Sequence, residues 1–239
     1  MRPPPLRRDL MDSSGNSGGS TRDNYEQARH EMVETQIRKR NVTSSRVLEC
    51  LEHVPRHEFV PAEFRGRAYE DAPLPIGEGQ TISQPYIVAA MTAALGLQGN
   101  ESVLEIGTGF GYQAAVLGCL AREVFSMEFR AALATEAAER LSRLGYTNVH
   151  VHCGDGTLGL PEFAPYDAIL VAAAAPAVPA PLVAQLADGG RMVVPVGGVE
   201  NQDLHLIERS HDTFRTTVLE SCRFVPLLGV HGWKESSQT

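Results

Sequence analysis

The chain has little positive charge and no long apolar run, and each shortage excludes a class of protein. Lys and Arg number 21 against 29 Asp and Glu, so the formal net charge of the 239 residues is −8. A surface of this sign disfavours nucleic acid and anionic membranes as partners. No apolar run in the sequence approaches the roughly 20 residues that a membrane-spanning helix needs. We therefore expect neither a nucleic-acid partner nor a membrane partner.

Cysteine and histidine are too few and too scattered to suggest a metal site. The four cysteines lie far apart and show no paired spacing: Cys50, Cys119, Cys153 and Cys222. Free thiols in apolar surroundings are typical of a reducing compartment, so we expect a cytoplasmic protein. Among the eight histidines, we expect His30, His53 and His57 on the surface or in loops. The sequence predicts no bound metal.

The first 23 residues differ in composition from the rest of the chain. The segment MRPPPLRRDLMDSSGNSGGSTRD is rich in Pro, Ser, Gly and charge and has almost no apolar side chains. Such a segment cannot bury enough surface to offset its ordering entropy, so we predict disorder over residues 1–23. It has no apolar core, and we do not expect it to be a secretory signal. Residues 24–239 are predicted to form one folded domain, since 43% of the chain is hydrophobic.

Hydrophobic periodicity divides the remaining chain into two parts. Segments 25–42, 44–54 and 84–97 carry apolar residues at helical spacing, whereas the prolines and glycines of residues 56–79 are typical of a loop. From residue 101 onward, short apolar strands alternate with helices. The predicted strands are 101–107, 123–129, 148–156, 166–175 and 191–197, and the predicted helices are 112–121, 130–146 and 179–190.

This alternation indicates an α/β fold with a doubly wound, mostly parallel sheet. The earlier helical segments would precede that sheet as N-terminal helices. Two later segments, 202–210 and 214–227, show alternating polarity and lie close together in the chain. They predict an antiparallel pair of strands at the C-terminal edge of the sheet.

The stretch VLEIGTGFGYQAA places Gly107, Gly109 and Gly111 between the first predicted strand and its helix. In an open α/β sheet this position holds a ligand, and glycine lets the backbone approach it closely. Three interpretations compete: a tight turn without a ligand, a dinucleotide site, and an S-adenosylmethionine site. The dinucleotide pattern needs a glycine where this chain has Tyr112. Glu105 would repel a pyrophosphate, but it suits the sulfonium and ammonium groups of S-adenosylmethionine.

Two further acids lie at the ends of the next two predicted strands. Glu128 lies about twenty residues beyond the first glycine, where an acid accepts hydrogen bonds from both ribose hydroxyls. Its alternative is a solvated acid at a strand end. Asp155, in the sequence CGDG, could accept from an adenine amino group or form an Asx-turn. Because Glu105, Glu128 and Asp155 end or nearly end three successive strands, we expect all three to face one crevice.

The stretch GQTISQPYIVAAM, residues 79–91, admits a structural and a functional interpretation. Ser83 could be the N-cap of the following helix, with Pro85 in its first turn. A helix N-terminus that carries a hydroxyl could instead hold an anion. On this stretch alone, the cap is favoured.

Several motifs together resemble the protein-L-isoaspartate O-methyltransferase family. YEDAPLPIGEGQTISQPYIVAAM resembles its signature segment, VLEIGTGFGYQAAVL its cofactor loop, and GDG the turn after its third strand. YDAILVAAAAPAVPAPLVAQLADGGRMVVPVG resembles its fourth and fifth strand region, and RFVPLLG its late substrate-side segment. The similarity runs over residues 25–230, and the Ser- and Gly-rich start matches no family motif.

The resemblance implies a Rossmann-like class I methyltransferase domain with S-adenosylmethionine as its cofactor. It assigns the following residues to the cofactor: Thr81, Ile82, Glu105, Gly107, Thr108, Gly109, Gly111, Glu128, Asp155 and Gly156. It makes Ser83 the catalytic residue, in contact with the acceptor, and places Val225, Pro226 and Leu227 at the substrate. The backbone of that late segment could pair with an acceptor chain as an added strand.

The reaction implied by the resemblance methylates the free α-carboxylate of L-isoaspartyl and D-aspartyl residues in damaged proteins and peptides. The ester collapses to a succinimide, whose hydrolysis partly restores normal aspartate. An α-carboxylate titrates near ~3.5, so it is ionised at neutral pH and needs no general base. We therefore expect no catalytic histidine. We also expect the enzyme to be a monomer. Two alternatives stay open: a methyltransferase with another acceptor, and a cofactor-binding adaptor without catalysis.

Overall fold

A computed structural model of the protein describes residues 21–234. Its first helix, α1 (Thr21–Glu31), begins inside the segment that we predicted to be disordered. The folded part of the chain therefore starts earlier than residue 24, and Tyr25 in this helix stacks on His57 with 4.0 Å between ring centroids. The predicted disorder of residues 1–20 lies outside the described residues.

Helices form the N-terminal layer, as the periodicity predicted. α1 continues through a π-helical turn at Met32–Ile37 and a 3-10 turn at Arg38–Arg40. The apolar side chains of the π-helical turn are fully buried. α2 (Ser45–His53) and α3 (Pro85–Leu95) follow, and both pack against this segment.

A small hairpin lies in the region that we predicted to be a loop. β1 (Leu74–Gly77) pairs antiparallel with β2 (Gln80–Ile82), separately from the main sheet. The sequence LPIGEG contains the proline and glycines of a loop, and its strand character comes from tertiary packing. Ile76 is buried, and its Cδ1 would lie 3.1 Å from a methyl group built on Gly109. The hairpin therefore covers the glycine loop.

The main sheet has seven strands in the order β5-β4-β3-β6-β7-β8-β9. The strands are β3 (Ser102–Ile106), β4 (Glu123–Glu128), β5 (Val149–Cys153), β6 (Tyr166–Val171), β7 (Leu186–Gly197), β8 (Gln202–Ser210) and β9 (Thr213–Cys222). β3 to β7 pair in parallel, whereas β7, β8 and β9 pair antiparallel. The predicted doubly wound sheet and its antiparallel C-terminal edge are confirmed.

The central strands of the sheet are buried on both faces. In β3, Val103 packs into the hydrophobic cluster that includes the N-terminal helices, and its neighbour Leu104 packs into the cluster on the opposite face. Alternate residues of a strand point to opposite faces, so a continuous apolar run fills two cores. α4 (Tyr112–Leu120) and α5 (Ala131–Arg143) follow β3 and β4. Within residues 21–234, no helix has the length and apolarity required to cross a membrane.

One predicted helix is much shorter in the structure. α6 covers only Ala180–Ala184, and β7 begins at Leu186 rather than at residue 191. Leu182 and Leu186 are both fully buried. Their spacing of four residues is also that of a buried helix face, which is why the sequence pattern predicted a longer helix. The chain leaves the helix because Tyr166 N donates to Gln185 O over 2.9 Å and Leu186 pairs with Tyr166 in the sheet. Strand pairing outweighed local periodicity here.

Candidate active site

The glycine loop joins the end of β3 to the start of α4. Gly107, Gly109 and Gly111 all have positive φ, at 96°, 53° and 91°. Side chains rarely adopt this conformation, so the sharp turn depends on glycine. Gly107 N donates to Met127 O over 2.8 Å, which ties the loop to the end of β4. The loop thus lies at the carboxyl ends of the parallel strands, as predicted.

Glu128 fastens this loop from the neighbouring strand. Its Oε2 accepts from Gly109 N over 2.8 Å and its Oε1 accepts from Arg130 N over 3.0 Å, while the residue is only 6% exposed. A solvated acid at a strand end is therefore the wrong description. Each carboxylate oxygen carries two lone pairs, so both can still accept a further hydrogen bond from a ligand.

Glu105 is fully buried at the end of a short polar chain. Its Oε2 accepts from the Ser126 hydroxyl, and Ser126 Oγ lies 2.6 Å from Thr108 Oγ1 in the loop. Its Oε1 has no hydrogen-bond partner in the described part of the chain. Ser126 was not predicted as a site residue, although a serine within the apolar strand EVFSME is a signal of a polar contact.

We expected Glu105 to be a carboxylate, and its burial acts against that charge. Burial, reinforced by the nearby charge of Glu128, raises the pKa of Glu105 to about 8, although the bond from Ser126 opposes this shift. Near neutral pH the side chain is therefore largely protonated when no ligand is bound. A cation bound beside it would favour the carboxylate form.

Asp155 is committed to holding the chain together. Its Oδ1 accepts from Thr157 N at 2.9 Å and from Thr157 Oγ1 at 2.6 Å, and its Oδ2 accepts from Val230 N at 2.8 Å. These bonds lower the pKa of Asp155, although its partial burial acts in the opposite direction. The carboxylate thus caps a 3-10 turn and anchors the C-terminal segment, as in the Asx-turn alternative. One lone pair of Oδ2 is left for a ligand.

The other residues assigned to the cofactor differ in burial and in what they contact. A methyl group built on Gly156 would lie 2.4 Å from Ile106 Cγ2, so this glycine lets the turn after β5 pack onto β3. Ile82 is buried in the core, whereas Thr81 is exposed and lines a cavity beside the hairpin. Thr108 is buried and reaches Ser126.

Ser83 does not cap the helix that follows it. The N-cap of α3 is Gln84, and Pro85 occupies the first helical position. The Gln84 side chain makes no cap bond but donates from Nε2 to Asp71 O over 3.1 Å. Because Pro85 begins the helix, the cap falls one residue after Ser83. Among residues 21–234 the Ser83 hydroxyl has no hydrogen-bond partner, and Ser83 lines the cavity.

That cavity has a volume of about 530 Å³ and opens between α3, the end of β6 and the end of β9. Ser83, Ala172 and Val225 are on its wall. Ala172 also borders the glycine loop, since a methyl group built on Gly107 would lie 3.5 Å from Ala172 Cβ. The cavity and the glycine loop therefore meet at one residue. The described residues that line the cavity include no histidine.

The predicted substrate segment, residues 225–227, already forms backbone hydrogen bonds with Ala174 along one edge. Ala174 N donates to Val225 O and Leu227 N donates to Ala174 O, both over 2.8 Å, in a parallel bridge around Pro226. Leu227 is buried, whereas Val225 reaches the cavity wall. An acceptor chain added as a strand would meet the opposite edge, where Pro226 offers a carbonyl but no N–H. Strand addition along this segment stays a prediction, and an added strand would find no N–H donor at Pro226.

One group of metal-type ligands is close together in the described residues. His30, Glu34 and Glu52 have ligand atoms within 4.8 Å of one another on the helical layer. These side chains already pair: His30 Nδ1 lies 2.9 Å from Glu52 Oε1, and Arg38 Nε donates to Glu34. His30 is on the surface, as predicted, and these ion pairs account for the cluster.

Comparison with known proteins identifies the family. A model of the protein-L-isoaspartate(D-aspartate) O-methyltransferase family matches residues 27–232. The chain belongs to this family. The resemblance that the sequence motifs indicated is thereby confirmed, and the chain is an enzyme of the methyltransferase class.

Close relatives carry the same family name over nearly their whole length. Protein-L-isoaspartate O-methyltransferase 1 of Syntrophobacter fumaroxidans is 54% identical over 88% of this chain and 99% of its own. Protein-L-isoaspartate O-methyltransferase of Roseiflexus castenholzii is 56% identical over 86% of this chain and 94% of its own. The similarity to this family therefore spans nearly all of the described residues.

Solved structures confirm the class I methyltransferase fold. A protein-L-isoaspartate O-methyltransferase with 32% identity has a TM-score of 0.78, covering 85% of this chain and 67% of its own. A protein from Plasmodium falciparum, solved with S-adenosyl-L-homocysteine, has a TM-score of 0.73 at 21% identity, covering 84% and 98%. The second similarity concerns the fold alone.

Proposed function

We propose that the protein transfers a methyl group from S-adenosylmethionine to the free α-carboxylate of L-isoaspartyl and D-aspartyl residues in damaged proteins. One observation supports this most strongly: the 530 Å³ cavity and the glycine loop share Ala172 as a common wall. A methyl donor in the loop and an acceptor in the cavity would therefore be neighbours. Holding two reactants in contact can supply about 7–11 kcal/mol of a barrier.

The chain offers groups that fit S-adenosylmethionine at the loop. The unpartnered, buried Oε1 of Glu105 can accept a hydrogen bond, and Glu128 keeps lone pairs for ribose hydroxyls. Gly107 and Gly109 adopt positive φ, so the backbone of the loop can turn close to a ligand. When bound, the cofactor supplies an electrophilic methyl carbon on a sulfonium centre. Asp155 and Gly156 would border the adenine, with Asp155 contributing its one remaining lone pair.

The acceptor side is suited to a nucleophile that is already ionised. An α-carboxylate has a pKa near ~3.5, so no side chain has to remove a proton from it. This agrees with the lack of histidine among the described residues that line the cavity. Ser83 donates one hydrogen bond to the carboxylate and orients it, since its hydroxyl is not used in capping α3. Val225 and Thr81 also line the cavity in which the acceptor would lie.

Methyl transfer to a matched pair of peptides tests the proposal. The two peptides differ only in whether one residue is isoaspartyl or aspartyl, and the protein is supplied with labelled S-adenosylmethionine. We expect transfer to the isoaspartyl peptide and very little to its partner. Equal transfer to both, or transfer to neither with S-adenosylhomocysteine still bound, would favour another acceptor or a non-catalytic adaptor.

We further propose that the enzyme acts as a monomer in the cytoplasm and binds no nucleic acid. The net charge of −8 supports the last point. The four cysteines are all free, which suits a reducing compartment. Sedimentation at micromolar concentration tests the monomer, and a second species at twice the mass would contradict it.

A further inference from the structure

Opposite charges border the acceptor cavity at the end of β9. Glu220 and Arg223 both line this wall, separated by Ser221 and Cys222, which line it as well. The proposed acceptor is an anion, so an acid and a base on one wall should affect its binding in opposite directions. The balance depends on which of these charges is already neutralised within the protein.

The other cation on the cavity wall, Arg40, is already paired. Arg40 Nη2 forms an ion pair with Asp71 Oδ2, and its guanidinium lies 4.6 Å from the centre of the Tyr86 ring. The charge of Arg40 is therefore balanced by a neighbouring carboxylate. Its geometry is fixed by two contacts, so it has little freedom to follow an acceptor.

Glu220 contributes a negative charge that no cation balances in the described part of the chain. The Tyr86 hydroxyl donates to Glu220 Oε1 over 3.2 Å, which is a neutral partner. This charge also affects the nearby thiol of Cys222: burial, Glu220 and Asp203 together raise the pKa of Cys222 to about 11. Without a compensating cation, this wall would repel an anionic acceptor.

Arg223 is the cation that remains available. Its side chain is exposed, lines the cavity, and forms no hydrogen bond or ion pair with any residue from 24 to 234. Its backbone, in contrast, is held in place: the next residue, Phe224, is buried and donates from its N–H to Gln202 Oε1 over 2.9 Å. The backbone next to Arg223 is therefore held in place, while its guanidinium is available at the cavity.

We propose that Arg223 recognises the acceptor by pairing with its carboxylate, and that Glu220 opposes this attraction. The inference rests on the proposed function. Arg223 supplies the attraction and Ser83 the orienting hydrogen bond. Guanidinium groups pair well with carboxylates because their donors match the two oxygens. Isoaspartyl and aspartyl peptides each carry one carboxylate at the damaged position, so this attraction governs affinity and not the choice between the two isomers.

Steady-state kinetics with a varied isoaspartyl peptide and saturating S-adenosylmethionine test the proposal. At low salt, R223A should raise KM about five- to tenfold with little change in kcat, since exposed charges interact modestly. R223K should restore most of the loss. E220Q should lower KM about two- to threefold, because Gln still accepts from Tyr86 but carries no charge. Raising the salt concentration should shrink these differences.

Arg215 provides a matched control. It is an exposed arginine within β9, the strand that ends just before Arg223, and it does not line the cavity. R215A should keep the KM of the unaltered protein. Melting temperature and affinity for S-adenosylhomocysteine, which all four variants should retain, report on folding and on the cofactor side separately.

Three results would contradict the proposal, and they can be distinguished from one another. If R223A and R215A have the same KM while the unaltered protein methylates the isoaspartyl peptide, the Arg223 assignment is wrong and the proposed function stands. If the unaltered protein does not methylate that peptide at all, the proposed function is wrong and the recognition role falls with it. A rise in KM with E220Q would also contradict the proposed opposition of the two charges.

Discussion

Glu128 accepts a hydrogen bond from the backbone N–H of Gly109 over 2.8 Å, which joins the end of β4 to the centre of the glycine loop. The acid that the spacing assigned to ribose is therefore also a structural part of the loop. Its loss should affect both the loop and the ligand.

Glu128→Ala should weaken binding of S-adenosylhomocysteine by roughly 1.5–3 kcal/mol, the scale for hydrogen bonds to a charged group. The melting temperature should fall as well, because Gly109 N and Arg130 N lose their acceptor. Calorimetry and thermal melting measure the two effects. Glu123→Ala, at the other end of the same strand, is the control and should keep the affinity. Unchanged affinity in the Glu128 variant would leave this residue a structural role alone.

Glu105→Gln should stabilise the ligand-free protein at high pH. The pKa of Glu105 is raised from 4.5 to about 8 in the folded state, so between these values the folded protein binds a proton that the unfolded chain has released. Stability of the unaltered protein must then fall as pH rises through this window, by on the order of 1.4 kcal/mol per pH unit. Glutamine carries no such proton.

The measurement is the difference in unfolding free energy between Glu105→Gln and the unaltered protein at pH 5 and at pH 9. We expect the difference to shift in favour of the variant at pH 9. A difference that stays constant with pH would show that Glu105 has an ordinary pKa. S-adenosylmethionine should bind the variant more weakly, because the amide cannot respond to its positive charge.

Ser83→Ala should change stability by less than about 0.5 kcal/mol, because the N-cap of α3 is Gln84. The methylation rate on isoaspartyl peptide should fall about tenfold or more, the scale for a lost hydrogen bond to a charged group. Ser83→Thr keeps a hydroxyl but adds a methyl group at the cavity, so it should fold and lose much of the activity. Equal methylation rates for the unaltered protein and both variants would show that Ser83 has no role in catalysis.

Gly156→Ala should destabilise the protein by about 1–3 kcal/mol through overpacking. Its new methyl group would lie 2.4 Å from Ile106 Cγ2, at the point where β3 enters the glycine loop. Gly66→Ala is the matched control, since nothing lies within 4 Å of a methyl group at that position. Chemical denaturation of both variants gives the comparison. Similar stability of the two would mean that Ile106 moves aside readily.

Local sequence predicted the parts of the site that depend on neighbouring residues. The alternation after residue 101 indicated the parallel sheet, and the glycine spacing indicated its ligand loop. Ser126 escaped prediction, because a serine in a strand becomes informative only once β3 and β4 pair and bring it to Glu105. The raised pKa of Glu105 could not be predicted for the same reason, since burial is a property of the assembled sheet.

The sequence by itself determined the class of fold and the family, because both are carried by short motifs and by periodicity along the chain. Tertiary structure alone decided how distant segments share their hydrogen bonds. In the folded chain, the Asp155 carboxylate accepts a hydrogen bond from Val230 N, and Val225 and Leu227 pair with Ala174. β7 begins at Leu186. Each backbone or carboxylate group has few bonding positions, and the partner that occupies them is known only when the chain is folded.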